Sequence, residues 1–174
     1  MLGNLQTTPA LDRPELLAPS VVRALKAANG DVHVAEIDPD LADTAAFCVQ
    51  YEVKLEESAN CVVIAGKRGG ETRYAACVIL ATTRADVNGA VRRYLDVRKA
   101  SFASMDTATA ETGMEYGGIT PIGLPARWPV LIDARVVAVP HVVIGSGVRR
   151  SKLVLPGPAL ADLPNAEVIN DLAG

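Results

Sequence analysis

Apolar residues recur at helical or strand spacing in short segments along this chain, with glycine and proline between them. The first helical pattern begins at Ser20, a favourable N-cap, and ends at Asn29-Gly30, a common helix terminator. Residues 32–37 alternate between apolar and polar side chains, which predicts a strand. Asp38-Pro39 predicts a second helix start, and its small apolar residues, which continue to Val49, indicate a face lying close to a sheet.

A β-hairpin is the clearest feature in the middle of the chain. Two apolar runs, 61–65 and 73–81, flank the glycine-rich turn GKRGGE. Residues 83–86 resemble a capping box and predict a helix after the hairpin. Ser104 then caps a short predicted helix that stops at Gly113.

The remaining chain predicts an α+β (mixed α/β) fold. Further strands are predicted at 128–133, 136–139, 141–145 and 152–156. A final short helix is expected near Pro158. Hairpins with helices inserted between them predict a mixed, largely antiparallel central sheet flanked by helices. The length fits one domain, 14–174, preceded by a tail, 1–13, without a periodic apolar pattern.

The charge distribution restricts the possible partners. A formal net charge of −3 at pH 7 argues against a broad electrostatic grip on nucleic acid, and DNA is not an expected partner. Such a balance leaves room for local basic clusters, although most are solvated surface. The clusters here are Lys67 with Arg68, Arg92 with Arg93, Arg98 with Lys99, and Arg149 with Arg150 and Lys152. Without a membrane-length apolar run or a secretory signal pattern, we expect a cytoplasmic protein and no membrane partner.

The candidate metal ligands are scattered. Cys48, Cys61 and Cys77 form no CxxC pair, and the two histidines are isolated in the sequence. A structural zinc site needs about four soft ligands close together. We therefore expect reduced, mostly buried thiols, and neither a metal nor a cofactor.

The segment GMEYGGITPIGLP, residues 113–125, is the strongest candidate for a functional site. It contains four glycines and two prolines. Adjacent glycines let backbone amides turn toward a ligand, and prolines restrict the loop. A plain surface crossover between a helix and the strand at 128–133 is the structural alternative. The segment lacks the order of a phosphate-binding loop, and GSGVRR at 145–150 is a poor dinucleotide fingerprint.

Side-chain nucleophiles are also poorly represented. The sequence has no GxSxG motif, and Ser146 has no obvious basic partner. Glu111 fits a plain helix-surface role, whereas Asp106 lies near a helix start just before the glycine-rich loop and is a candidate substrate contact. Enzymatic chemistry here would rely on backbone amides that hold an oxyanion, with a bound water and help from the substrate.

The order of these features resembles the YbaK/EbsC-type family of aminoacyl-tRNA deacylases, which includes the inserted editing domain of some prolyl-tRNA synthetases. The resemblance covers roughly residues 20–165. It rests on TAA at 44–46, CVVI at 61–64, the strand ending in Asp133 and the GSG turn at 145–147. Its most specific part is TGMEYGGITPIG at 112–123, which is close to the family pattern TGxxxGGVxPxG.

The resemblance implies hydrolysis of the ester between a wrong amino acid and the terminal adenosine of a tRNA. The expected partners are therefore the aminoacyl-tRNA acceptor end and, as a further option, an aminoacyl-tRNA synthetase. Gly117 and Gly118 would present amides to the ester carbonyl. The other implied substrate-binding positions are Ile119, Pro121 and Gly123 on one side of the pocket, and Gly145, Ser146 and Gly147 on the other.

One position departs from the family pattern. A lysine usually stands at the start of the first core strand, where it is implicated in holding the terminal nucleotide, and Asn60 occupies that place here. Asparagine can form hydrogen bonds but carries no charge. Alternatively, Asn60 caps the strand and the register differs by one residue.

Three hypotheses follow for the function. The first is a freestanding editing hydrolase. The second is a non-catalytic relative that binds an aminoacyl or nucleotide moiety, or a protein partner. The third is a structural domain whose glycine-rich loop serves only packing.

Overall fold

Two β-sheets with short helices around them form the structure, a computed structural model that describes residues 2–28 and 30–174. The strands are β1 Thr7–Pro9, β2 His33–Glu36, β3 Ala59–Arg68, β4 Glu71–Leu80, β5 Lys99–Phe102, β6 Val130–Asp133, β7 Val142–Gly145, β8 Ser151–Leu155 and β9 Ala166–Ile169. The α-helices are α1 Pro19–Ala27, α2 Thr44–Tyr51, α3 Arg92–Leu95, α4 Met105–Thr112 and α5 Ala134–Val137.

The sheets differ in strand direction. The first has the order β1-β2-β8-β7 and is antiparallel throughout. The second has the order β5-β3-β4-β6-β9, with antiparallel pairs on one side and the parallel pairs β4-β6 and β6-β9 on the other. The α+β class with largely antiparallel strands is confirmed, but the single predicted central sheet is divided into two. A parallel bridge between Ser58 and Val143 joins them.

The central hairpin is confirmed and is longer than predicted. Strands β3 and β4 pair without a bulge from Ala59 opposite Leu80 to Arg68 opposite Glu71. The two-residue turn is Gly69-Gly70, where φ is +57° and +81°. Glycine reaches this region without the steric cost that a Cβ atom brings, which explains the position of the turn.

Two predicted helices differ in detail from the structure. Helix α1 begins at Pro19, with Ala18 as N-cap, so Ser20 is not the cap; proline suits the first helical position. Its predicted end at Asn29 lies outside the described residues. After Asp38, a 3-10 turn precedes α2, which leaves Val49 82 % exposed and buries Phe47 instead. The aromatic ring gains more from burial than a smaller side chain does.

Three segments of the chain have another structure than expected. Residues 136–139 were predicted as a strand, but Asp133 accepts a hydrogen bond from the Arg135 amide (2.8 Å) and begins α5. Residues 7–9, placed by sequence in an N-terminal tail, form the edge strand β1, and Leu5 is buried. The predicted helix near Pro158 is a 3-10 turn, Gly157–Asp162.

Candidate active site

A cavity of about 330 Å³ opens beside the bridge between the two sheets. Its floor is the first half of β3, and its sides are the start of α2, part of α4 and the glycine-rich loop. Small or β-branched side chains, including Ala59, Val63, Ala103 and Ala108, form much of the wall. Polar side chains at the wall include Asp43, Thr44, Asn60 and Lys152.

The structure brings together four of the site residues that the sequence suggested. Asn60, Gly117, Ile119 and Gly145 all line the cavity. The other six lie outside its wall: Asp106, Gly118, Pro121, Gly123, Ser146 and Gly147. The glycine-rich loop is therefore at the cavity, but only part of it faces the ligand space.

Close backbone packing explains two of the glycines. A Cβ atom at Gly118 would lie 2.6 Å from the Val148 carbonyl oxygen, and one at Gly145 would lie 2.6 Å from the Gly118 carbonyl oxygen. The Gly147 amide also donates to the Gly118 carbonyl at 2.7 Å. The glycine-rich loop and the GSG turn thus form one interlocked unit, because neither backbone could approach the other with a side chain between them.

The two adjacent glycine amides differ in availability. The Gly118 amide donates to the Glu115 carbonyl at 3.0 Å within the loop, so it is already engaged. The Gly117 amide has no hydrogen-bond partner in the part of the chain that the structure describes, and Gly117 lines the cavity. Gly117 is therefore the amide of this pair that a ligand can use.

Ser146 belongs to the framework of the loop. Its side chain is completely buried, and its hydroxyl lies 2.7 Å from that of Ser151, which donates to the Leu16 carbonyl. Pro121 is likewise buried, and a Cβ atom at Gly123 would meet the Ser20 backbone at 2.7 Å. The Gly123 backbone therefore packs against α1, and none of these three residues lines the cavity.

Asn60 is held in place by a hydrogen bond across the cavity wall. Its Oδ1 accepts from the Thr44 hydroxyl at 2.7 Å. The residue lies within β3, opposite Ile79, so it does not cap the strand. Asn60 therefore presents a fixed, uncharged amide group at the cavity.

Lys152 is the principal site residue that the sequence had placed only in a basic cluster and not in the site. It is 8 % exposed, and its ammonium donates to the Ala42 carbonyl at 3.1 Å. Its Nζ also lies 5.4 Å from the centre of the Phe47 ring, a cation–π contact. Burial lowers the pKa of this lysine, because removal from water disfavours its charged form. A lone lysine within the apolar strand SKLVL was the signal available in the sequence.

Cys61 contributes an apolar, protonated surface to the cavity. Burial raises the pKa of its thiol well above the ordinary range, so the thiolate needed for nucleophilic attack is not formed near neutral pH. Burial also raises the pKa of Cys77 to about 12. Within residues 2–28 and 30–174, no group of three or more His, Cys, Asp or Glu side chains is arranged to hold a metal ion.

Two aromatic side chains stand at the cavity mouth. Phe102 is 59 % exposed at the end of β5, and Tyr116 is 53 % exposed in the glycine-rich loop. Arg149 fixes this part of the loop by donating to the Tyr116 carbonyl at 3.2 Å and to the Pro39 carbonyl at 3.0 Å. The mouth therefore offers two exposed rings on an anchored frame.

A family model described as an aminoacyl-tRNA editing domain matches residues 38–163, which include every residue that lines the cavity. The chain belongs to the aminoacyl-tRNA editing domain family. This match confirms the resemblance found in the sequence. The editing domain therefore accounts for most of the chain, and editing of aminoacyl-tRNA is its function in general terms.

Solved structures share the fold of this editing domain at low sequence identity. The hypothetical protein APE2540 superposes with a TM-score of 0.79 at 18 % identity, covering 89 % of this chain and 99 % of its own. A candidate trans-editing enzyme for prolyl-tRNA synthetase has a TM-score of 0.72 at 20 % identity, covering 88 % and 97 %. No curated protein matches the sequence significantly. Among the described residues, no helix is long and apolar enough to span a membrane.

Proposed function

We propose that this editing domain is a trans-acting hydrolase that cleaves the ester bond of mischarged aminoacyl-tRNA. The observation that carries the proposal is the cavity itself, where Gly117 offers an unengaged amide between the two sheets. Such a donor stabilises an oxyanion in a site that excludes most water. The cytoplasm is the proposed location, and a synthetase is an optional partner.

The proposed reaction needs no side-chain nucleophile. A water molecule adds to the ester carbonyl carbon, the bond to the ribose oxygen breaks, and a proton passes to that leaving oxygen. The products are the free amino acid and the uncharged tRNA. The Gly117 amide polarises the carbonyl, while the neighbouring ribose hydroxyl of the substrate orients the water. The protonated Cys61 thiol fits this scheme as an inert wall.

The size of the cavity favours a small aminoacyl group. A volume of about 330 Å³ lies at the lower end of the range for ligand pockets. It must hold the aminoacyl moiety together with part of the terminal ribose. Alanine, serine and cysteine are therefore the first amino acids to test, since a synthetase pocket separates such small groups by only about 1–3 kcal/mol.

The aromatic residues at the mouth suit the terminal adenine. Every base has a π-face, and stacking on an aromatic side chain contributes about 1–3 kcal/mol per base. Phe102 and Tyr116 are both exposed enough to accept such a ring. We propose that they hold the adenosine while its ester enters the cavity.

A basic pair beside the cavity suits the phosphates of the acceptor end. Lys67 and Lys99 lie directly opposite each other on β3 and β5. Lys67 shares a face of β3 with Val63 of the cavity wall, about 13 Å along the strand. Like charges in such a cross-strand pair repel, and a bound phosphate would relieve that repulsion.

A deacylation screen tests the proposal. The purified chain is incubated with tRNAs charged with alanine, serine or cysteine, and the released amino acid is measured against the spontaneous rate. We expect release from at least one noncognate pair. Ala103→Phe should abolish it by filling the cavity, with a melting temperature close to that of the wild type. Absence of release from every pair would remove the hydrolase proposal.

Binding without turnover is the second candidate, and two observations favour it. Asn60 provides no charge, and the Gly118 amide is already engaged. A non-hydrolysable analogue, in which an amide replaces the ester at the ribose of adenosine, separates the two candidates. Binding of the analogue without release from any charged tRNA would support the binding role.

A further inference from the structure

We propose that Lys152 is the cation of this site and contacts the ester carbonyl oxygen as it becomes an oxyanion. This inference rests on the proposed hydrolase function. It places the positive charge on β8, at a cavity to which β3 contributes the uncharged Asn60.

The position of Lys152 follows from strand pairing. Lys152 is opposite Gly145 in the β7–β8 ladder, and both residues line the cavity. Because Gly145 carries no side chain, the glycine-rich loop packs over it, and the Lys152 side chain lies beside that loop on the same face of the ladder. Its ammonium has three protons and uses one on the Ala42 carbonyl. Among the described residues no carboxylate lies within 4.0 Å of it, so protons remain for a ligand.

Lys152 and Asn60 reach the same short segment from different sheets. The lysine ammonium bonds to the carbonyl of Ala42, and the Asn60 side chain bonds to the hydroxyl of Thr44, two residues further on. The charge and the amide therefore converge on one wall of the cavity. A positive charge on either strand would therefore face the same ligand space.

The depth of the ammonium selects the group that it contacts. Lys152 is 8 % exposed and packs against the buried Phe47 ring, whereas the mouth of the cavity is formed by exposed residues. The phosphates of the acceptor end are bulky, hydrated and outside the ester, so they remain near the mouth. The aminoacyl ester is the part of the substrate that can reach this depth.

A buried lysine without a carboxylate partner is costly to maintain, because desolvation disfavours the charge. The Phe47 ring face and the Ala42 carbonyl offset part of this cost. A hydrophobic residue of similar length would fill the same volume without it. A charge kept under these conditions, in a cavity, is typical of a functional group rather than of a packing residue.

In the proposed step, water adds to the carbonyl carbon and the carbonyl oxygen takes up the negative charge. The Lys152 ammonium and the Gly117 amide hydrogen-bond to that oxygen. The carbon–oxygen bond to the ribose then breaks, and the proton lost by the attacking water goes to the ribose oxygen. Lys152 keeps its own proton throughout.

Steady-state kinetics of Lys152→Met test the assignment on the tRNA that the wild-type chain deacylates fastest. We expect kcat to fall roughly 100-fold, as for loss of one oxyanion donor, with KM changed less than about threefold. Lys26→Met on α1 is the matched control and should retain wild-type kinetics. A Lys152→Met enzyme with the wild-type kcat would overturn the inference.

A double variant that moves the lysine to another position distinguishes loss of the charge from misfolding. Asn60→Lys combined with Lys152→Met restores a lysine to the same wall, and it should recover kcat at least tenfold over Lys152→Met alone. Lys152→Gln replaces the single variant if Lys152→Met does not fold. Equal kcat values for the double variant and for Lys152→Met would contradict the inference that residues 60 and 152 face the same ligand space. An inactive wild type would instead reject the proposed hydrolysis, so the two failures are distinguishable.

Discussion

Lys152 is proposed to serve the site, although burial of its charge lowers the stability of the fold. The chain buries a charge beside an aromatic ring and a backbone carbonyl, and burial lowers the pKa of the lysine. The charged and titratable groups that act on it are Asp43 and Cys48 of the α2 region and Arg149. Residues that serve a site at the expense of stability are common in enzymes.

The pH dependence of unfolding measures this cost. The pKa of Lys152 in the folded chain lies below its ordinary value of 10.5. Between the two values the unfolded chain binds one more proton, so the wild-type free energy of unfolding rises with pH in this window. The free energy of unfolding of Lys152→Met minus that of the wild type should be largest near pH 7 and should decrease as the pH approaches 10.5.

Chemical denaturation at several pH values gives this difference. Lys26→Met is the control and should show no such decrease. Repeating the pair in a Cys48→Ala background removes a thiol that acts on Lys152 and whose own pKa is raised by burial. A difference that stays constant from pH 7 to 10.5 would contradict the account of a desolvated lysine.

At the scale of elements, the glycine-rich loop and the β7–β8 turn behave as one unit. The Glu115 amide donates to the Gly147 carbonyl at 2.9 Å, and the Glu115 carboxylate accepts from the Arg149 amide at 2.7 Å. Together with the contact between Gly118 and Gly145, these bonds fix the loop over the cavity. A substitution that separates Gly118 from Gly145 should therefore lower the stability of the fold and also displace the loop at the cavity.

Gly145→Ala tests this unit. The added Cβ would lie 2.6 Å from the Gly118 carbonyl oxygen and 2.7 Å from that of Ile119, both backbone atoms. We expect a loss of about 1–3 kcal/mol in the free energy of unfolding, typical of overpacking, measured by denaturant titration. Gly30→Ala is the matched control, because its Cβ meets only a Val32 methyl group at 3.6 Å. Equal stabilities of the two variants would argue against the interlock.

Local signals explain which elements could be predicted. The hairpin turn at Gly69-Gly70 and helix α4 between Ser104 and Gly113 depend on neighbouring residues, and both are confirmed. Strand β9 was not predicted, since Ala166–Ile169 is only four residues long, none of them is buried, and the segment gains its place by pairing with β6. The division into two sheets depends likewise on long-range pairing.

The site residues, too, could be predicted only where a local sequence motif contains them. Gly117 and Ile119 belong to a contiguous motif, so the sequence could suggest them, and they line the cavity. The burial of Lys152 depends on β8 pairing with both β2 and β7, which no local pattern contains. The engagement of the Gly118 amide by Glu115 is a turn detail that the motif does not specify.

At the scale of the whole molecule, a protein with a net charge of −3 has to bind tRNA, which is also negatively charged. Pairing of β3 with β5 brings two of the sequence's basic clusters together at Lys67 and Lys99. In contrast, Arg68 is paired with Asp96, and Arg149 holds the loop. The proposed phosphate contact is therefore a local pair of lysines.

Salt dependence of tRNA binding tests that pair. Lys67→Gln with Lys99→Gln should weaken binding of a charged tRNA and reduce the slope of log affinity against log salt concentration by about 1–2, one for each lost phosphate contact. Lys26→Gln should leave the slope unchanged. Binding titrations between 50 and 200 mM salt provide the measurement, and an unchanged slope in the double variant would place the phosphates elsewhere.

The central claim is that the cavity of this editing domain hydrolyses aminoacyl-tRNA. A multiple-turnover deacylation assay tests this claim most directly. The wild-type chain is mixed with a tenfold excess of tRNA charged with alanine, serine or cysteine, and amino-acid release is followed against the Ala103→Phe control. The account predicts release of several equivalents per chain from at least one noncognate tRNA. Release at the spontaneous rate from all three would contradict it.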